Sequence, residues 1–321
     1  MVEKELTPPT FLLQAEVLES RLPETHVKMT EIRSKIRIFK SGYNGEKTLK
    51  YYLEQIPDHK YHIFHGLRLP IGNTFFQIDA LLLSQKFILI LDAKNHSGTL
   101  RFEKNQLIHE YGGNREVYEN PIAQINRHKI SLRYLFEKYK ISQIPIENLV
   151  SVCKPSTEIL ISPGYKEAEQ KVIKAYNLLT KVDELEEKYS ENRITKNTLK
   201  QMIKLLLEQH TPQKIDILNY FQIKGEELIP GVQCPRCLYI PMDYKRACWI
   251  CPKCLLFSKD AFLNGINHYF LLIKPSFNNP EIRKFLLMPS SRTITSNLPK
   301  LNLPYTGTKR GRIYHQPKDF L

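Results

Sequence analysis

The 321-residue chain has no run of eighteen apolar residues, so no segment is suited to cross a bilayer as a helix. A Walker loop, a dinucleotide-binding glycine fingerprint and a nucleophile elbow are all missing. Their absence removes the usual sequence signs of nucleotide-triphosphate, dinucleotide and serine-hydrolase chemistry. The opening stretch MVEKELTPPTFLLQAEVLES carries acids where a secretory signal needs a basic region followed by an apolar one. A cytoplasmic protein with no membrane partner is expected. Acidic residues are in short supply, 33 Asp and Glu against 47 Lys and Arg, and the formal charge is +14. Cysteine is scarce everywhere except between Cys234 and Cys254, which hold five of the six.

What remains is globular in composition, with 42% hydrophobic and 25% charged residues. The positive charge favours an anionic partner, nucleic acid above all. Half of it lies between Leu271 and Leu321, where nine Lys and Arg face only Glu281 and Asp319, a net of +7.

Helical spacing is expected over residues 14–40, divided at Pro23, and again over 44–55. Strands are expected at 61–69, 74–83 and 87–94, with a small hairpin turning at Gly112-Gly113. Asn120-Pro121 starts a helix that runs to about Tyr139 and turns Ile125, Ile130, Leu132, Leu135 and Phe136 to the core. NLVSVC and EILIS add strands. This order predicts an α/β fold, a mixed sheet flanked by helices. Five segments are expected: an N-terminal helical segment (1–40), a core domain (41–163), a solvated helical connector (164–227), a zinc ribbon (228–262) and a basic unit (265–321).

The chemistry is concentrated in QIDALLLSQKFILILDAKNHSG, residues 77–98. On a strand Asp92 and Lys94 point to one face and Ala93 to the other. If Gln85-Lys86 is a two-residue turn, Ser84 pairs with Phe87 and Asp79 falls opposite Asp92. Like charges so placed repel, and a divalent cation with oxygen ligands, Mg²⁺ or Mn²⁺, offsets the repulsion. Lys94 is placed to hold or deprotonate a water, or to stabilise charge on a phosphate.

Asp79, twelve residues, then Asp92-Ala93-Lys94 resembles the PD-(D/E)xK nuclease signature. Together with GYNGEKTL, QIDALLL, ILDAKNHSG and NPIAQINRH, it is similar to the NERD (nuclease-related) domain over about residues 40–155. The resemblance implies a restriction-endonuclease-like fold and a metal-dependent nuclease. It adds Glu46 as a further acid near the metal and Gln124 as a polar group facing the substrate at a helix start. The family usually carries Glu where this chain has Asp92, and the shorter arm moves the carboxylate.

Cys234-Pro-Arg-Cys237 and Cys251-Pro-Lys-Cys254 are separated by thirteen residues, close to the spacing of a four-cysteine site for one structural Zn²⁺. Cys248-Trp-Ile-Cys251 is a competing pair. The matching C-P-basic-C pattern selects Cys251 with Cys254 and leaves Cys248 spare. Cys153 reads as a core residue. His59, His62 and His65 are spaced by threes, but alternation sends the last two to opposite faces. His96 reads as a surface loop residue.

The C-terminal residues suggest two short helices, 280–287 and 291–298, then a basic hairpin. This is a helix-turn-helix-like arrangement with a wing. Arg292, Lys309, Arg310 and Arg312 are the expected nucleic-acid contacts, with DNA favoured. Two other readings stay open: a nucleic-acid-binding protein that keeps the nuclease fold without cutting, and a zinc-ribbon adaptor.

Overall fold

The computed structural model describes residues 1–57, 59–141, 144–245, 248–288, 290–317 and 320. Contacts divide the chain into two units, Met1–Pro8 with Lys40–Gln213, and Pro9–Phe39 with Lys214–Leu321. The block expected at 1–40 is thus shared between them. Among the described residues no helix is long and apolar enough to cross a membrane.

The chain begins with strand β1 (Val2–Lys4), helix α1 (Thr10–Ser20) and helix α2 (Met29–Leu53). Strands β2 (His62–Ile71), β3 (Thr74–Leu83), β4 (Ile88–Lys94), β5 (Thr99–Phe102), β6 (Gln106–Tyr111) and β7 (Asn114–Glu119) follow. Then come α3 (Pro121–Lys138), β8 (Ile146–Val152), β9 (Glu158–Ile161), α4 (Lys166–Lys171), β10 (Val172–Lys174), α5 (Leu178–Lys188) and α6 (Lys196–Gln209).

The first unit is mixed α/β. Its main sheet has the order β1-β2-β3-β4-β8-β10, and a second sheet the order β7-β6-β5-β9. The pairs β1/β2, β4/β8 and β8/β10 are parallel. The central strands are apolar because both faces are covered. Ile88 and Ile90 pack with Leu132, Leu135 and Phe136 of α3 and Met202, Leu205 and Leu206 of α6. Leu89 and Leu91 pack with Leu49 and Leu53 of α2 and Leu178, Val182 and Leu185 of α5.

Several expectations change. The helix expected at 44–55 is the end of the unbroken α2, because Gly42 and Gly45 each weaken a helix by only about 1 kcal/mol and the buried Leu49 and Leu53 hold its last turns. Ile130 is 46% exposed on the outer side of α3. The segment expected as a solvated connector supplies α5 and α6, which cover opposite faces of the sheet. It also supplies β10, whose Val172 pairs with Val150.

The second unit holds α1, the N-terminal part of α2, α7 (Ile217–Phe221), β11 (Asp243–Lys245), β12 (Cys248–Ile250) and β13 (Phe257–Ser258). Next are α8 (Ala261–Leu272), β14 (Ser276–Asn278), α9 (Asn279–Leu286), α10 (Ser291–Asn297), β15 (Tyr305–Thr306) and β16 (Ile313–His315). Trp249 from the cysteine-rich segment shares one core with Phe262, Ile266, Phe277, Ile282, Ile294 and Tyr314. Arg21 is fully buried and donates to the carbonyls of Ile229 and Gly231, with its plane 4.5 Å from the Phe285 ring centre.

Two glycines of α2 differ in what a side chain would meet. A Cβ at Gly45 would lie 2.9 Å from Asn95 Cβ, whereas among the described residues a Cβ at Gly42 would meet nothing within 4 Å beyond its own turn of helix. Gly42→Ala is expected to stabilise the protein by about 0.5–1 kcal/mol. Gly45→Ala should destabilise it by about 1–3 kcal/mol, because α2 must move off the end of β4. Urea melts of the two variants test this, and equal shifts would show that the close approach of α2 to β4 is not tight.

Candidate metal and nuclease site

The β3–β4 hairpin closes at Gln85-Lys86, where Ser84 N–H donates to the Phe87 carbonyl at 3.2 Å. Its register runs from Leu83 opposite Ile88 to Ala80 opposite Leu91 and stops there. Asp79 and Asp92 are the next residues on each side but do not pair. Instead Ala93 N–H donates to Asp79 Oδ2 at 2.8 Å, so the carboxylate replaces a ladder carbonyl. Gly66, across β2, has a φ of +58°. There the alternation breaks: Phe64 and Leu67, three residues apart, lie in one core, as do Ile78 and Leu81. This kink frees Asp79 from the ladder.

Asp92 and Lys94 lie on the α3 side of β4. Lys94 Nζ is 2.8 Å from Asp92 Oδ2 and donates to Gln124 Oε1, in the first turn of α3, at 3.3 Å. The Asp92 contact is an ion pair. Among the described residues Asp92 Oδ2, fully buried, makes no hydrogen bond of good geometry.

Burial, then the charge of Asp92, pushes the Asp79 carboxyl up to about 7. Burial and then Asp79 push Glu46 up to about 8. Asp79 therefore sits electrostatically between the other two acids. Burial works against the Lys94 ammonium, but Asp92 outweighs it and holds the pKa above its ordinary value.

Glu46 comes from α2, on the opposite face of the sheet from α3. This explains why the three carboxylates do not close into one cluster. Among the described residues, Cys234, Cys237, Cys251 and Cys254 are the group that brings its ligand atoms within 4.8 Å of one another. The donor set of Asp79 and Asp92 still suits Mg²⁺, which takes one or two carboxylates and keeps several waters. The buried Asp92 oxygen without a directed partner fits that use.

Three contributors lay outside the sequence reading. Lys4 of β1 donates to the His65 carbonyl at 2.7 Å and is the cation that acts on Glu46. Asn95 Nδ2 donates to the Ser41 carbonyl at 2.8 Å, and Ser41 Oγ returns a bond to the Asn95 carbonyl at 3.0 Å, which ties α2 to the end of β4. Asn95 stands inside ILDAKNHSG, so a signal was present there. Lys4 gave none, because nothing local predicts a three-residue edge strand.

His96 is not a free loop residue. Its ring lies 4.7 Å from that of His109 and 5.7 Å from Tyr118, and burial followed by the His109 charge lowers its pKa to about 4. His62 pairs with Glu3 at 2.7 Å, while His65 is buried and, among the described residues, its Nδ1 has no hydrogen-bond partner.

The two cysteine knuckles have the same backbone. Leu238 and Leu255, one after each second cysteine, adopt φ of +59° and +57°, and their N–H groups donate to the carbonyls of Cys234 and Cys251. The sulfurs of Cys234 and Cys254 are 3.6 Å apart, and those of Cys237 and Cys251 3.5 Å. Cys248 turns instead to the Ser258 carbonyl at 3.5 Å. Burial opposes the Cys251 thiolate, yet the N–H groups of Cys254 and Lys253 outweigh it and pull the thiol down to about 7. Cys254 goes the other way, up to about 12. Its bond with Leu256 N–H favours the thiolate, but burial and the bonds shared with Cys237, Cys234 and Cys251 prevail. Such a donor set fits Zn²⁺.

Of the basic residues expected to meet nucleic acid, Lys309 and Arg312 line a concave surface of the second unit. Arg292 is exposed on α10 and is not among that lining. The side chain of Arg310 lies outside the described residues.

Residues 41–153 match the family model of the nuclease-related domain, NERD. The match covers Glu46, Asp79, Asp92, Lys94 and Gln124 and ends before the cysteine knuckles. No curated protein and no solved structure matches the chain.

The raised Asp79 carboxyl gives a pH test. The neutral form is favoured in the folded state, so its contribution is complete below the unfolded pKa near 4 and is lost as pH rises through about 7. Asp79→Asn, which keeps the acceptor for Ala93 N–H, is expected to be more stable than the parent at pH 8.5 by roughly 1–3 kcal/mol and close to it at pH 5. Thermal melts without added divalent metal measure this. A difference independent of pH would remove the assignment.

Proposed function

We propose that the chain is a metal-dependent nuclease hydrolysing phosphodiester bonds of nucleic acid, DNA in preference, in the cytoplasm. The observation that carries this reading is the grouping of Asp79, Asp92 and Lys94 at the end of an apolar hairpin inside the segment that matches the nuclease-related domain.

Asp79 and Asp92 are the residues to hold Mg²⁺ or Mn²⁺, with Glu46 as a further acid beside Asp79. Bound there, the cation supplies Lewis-acid activation of water and neutralises charge on the phosphate. Ala93 N–H fixes the Asp79 carboxylate. Gln124 and Asp92 hold the Lys94 ammonium, whose role is to stabilise negative charge developing on the scissile phosphate. Apolar strands and helices on both faces keep the surroundings of these charges low in dielectric, which strengthens each interaction.

The four clustered cysteines hold one structural Zn²⁺, since four protein sulfurs leave no open position for chemistry. With β11, β12 and β13 they make a zinc ribbon. The basic C-terminal residues position the nucleic acid.

Asp92→Ala and Lys94→Ala are each expected to lower Mg²⁺-dependent cleavage at least about 100-fold while binding persists, measured on labelled single and double strands. Cleavage unchanged in both would place the activity elsewhere, and binding without cleavage across metals and substrates would make the protein a binder on a nuclease scaffold. For the cysteines, Cys251→Ser should lose the bound zinc and Cys248→Ser keep it, by elemental analysis of purified protein. Equal zinc in both would refute the assigned ligand set.

A further inference from the structure

The excess charge of the C-terminal residues is not spread over a convex surface. Arg283 and Lys284 of α9 line, with Lys309 and Arg312 near β16, a concave space of about 900 Å³. Among the described residues no acid lines it. Glu281, the acid of α9, is engaged by Lys274 at 2.6 Å and by the N–H of Asn278. Among the described residues none of the four cations forms an ion pair; Arg312 Nε is buried without a hydrogen-bond partner, while the rest of its guanidinium donates to Tyr314 Oη at 3.5 Å and lies 4.2 Å from the Tyr305 ring centre. Four positive charges facing one cleft repel one another, so an anion in the cleft lowers the energy of the unit.

We infer that this cleft binds a single strand of nucleic acid, a few nucleotides long, rather than the groove of a duplex. Reading a duplex needs an element that projects into a groove, and α10 is the candidate by position. Yet Ser291 and Thr295 of α10 line the cleft and bond to Asn279 of α9, so that face turns inward. A space of this size is that of a site enclosing a small ligand, too confined for a double helix. Its remaining lining is Asn279 with Pro280, Leu298 and Tyr314. Cations that follow a backbone beside apolar and aromatic surface are the features that hold unpaired strands. Arg283 and Lys284 were not among the cations the sequence singled out, because only the folded unit brings α9 and the β16 end together.

The inference rests on the nucleic-acid reading above but not on cutting, so binding is measured in the Asp92→Ala chain without added Mg²⁺. Fluorescence anisotropy with a labelled oligothymidylate of about 12 nucleotides is compared with a duplex of equal length. The single strand is expected to bind at least about tenfold tighter than the duplex. Arg283→Ala/Lys284→Ala should weaken it about tenfold or more and make the dependence of log K on log salt shallower by about 1.4, the value for two phosphate contacts on a single strand.

Lys196→Ala/Lys200→Ala removes the same charge from α6 and serves as the reference, with thermal melts confirming that all variants fold. Equal losses in both double variants, a duplex bound as tightly as the strand, or displacement of the strand by a nucleoside triphosphate at matching phosphate concentration would each overturn the inference. Cleavage absent from the parent chain would defeat the nuclease reading and leave this result standing.

Discussion

Two carboxylates brought to the end of one apolar hairpin set the terms for the first unit. Asp79 and Asp92 adjoin the last residue pair between β3 and β4, and burial, then their repulsion, raises the pKa of Asp79. The fold offsets it in three ways: an N–H from Ala93, an ammonium from Lys94, and a proton held by Asp79 or Glu46 when no cation is near. Each device is weaker than a divalent ion. Such a donor set suits a divalent cation, and its low-dielectric surroundings strengthen each of these interactions.

The second unit meets a related problem with sulfur and with positive charge. Four thiols crowd within 4.8 Å, and their protonation is pulled in opposite directions at Cys251 and Cys254. Leu238 and Leu255, left-handed after each knuckle, adopt a conformation unusual for a branched residue. The cluster shares a core with the C-terminal helices, so holding the knuckles together also supports the surface that carries Arg283, Lys284 and Arg312. The cysteine cluster and the basic cleft are linked through packing.

Much of the hairpin was legible because its determinants are short-range. The two-residue turn at Gln85-Lys86 and strand alternation place Leu83 opposite Ile88 and Asp92 beside Lys94 without help from the rest of the chain. The expectation that Asp79 faces Asp92 directly failed at one point, the kink at Gly66 on the neighbouring strand, which a reading of β3 and β4 alone does not contain. The helical stretch 164–209 shows a similar limit. Its charged residues suggested a solvated connector, while Leu178, Val182, Leu185, Met202, Leu205 and Leu206 carried the core pattern that decided where it packs.

By itself the sequence determined the apolar hairpin, the spacing of its acids and lysine, the two cysteine knuckles and the concentration of positive charge in the last fifty residues, since turns and two-residue periodicity are settled among near neighbours. Only the tertiary structure decided that Lys4 acts on Glu46, that Asp79 accepts from Ala93, that Lys94 pairs with Asp92 and reaches Gln124, and that cations from α9 and the β16 end share one cleft. These depend on which distant segments meet and on how much water they exclude, quantities that no local pattern encodes.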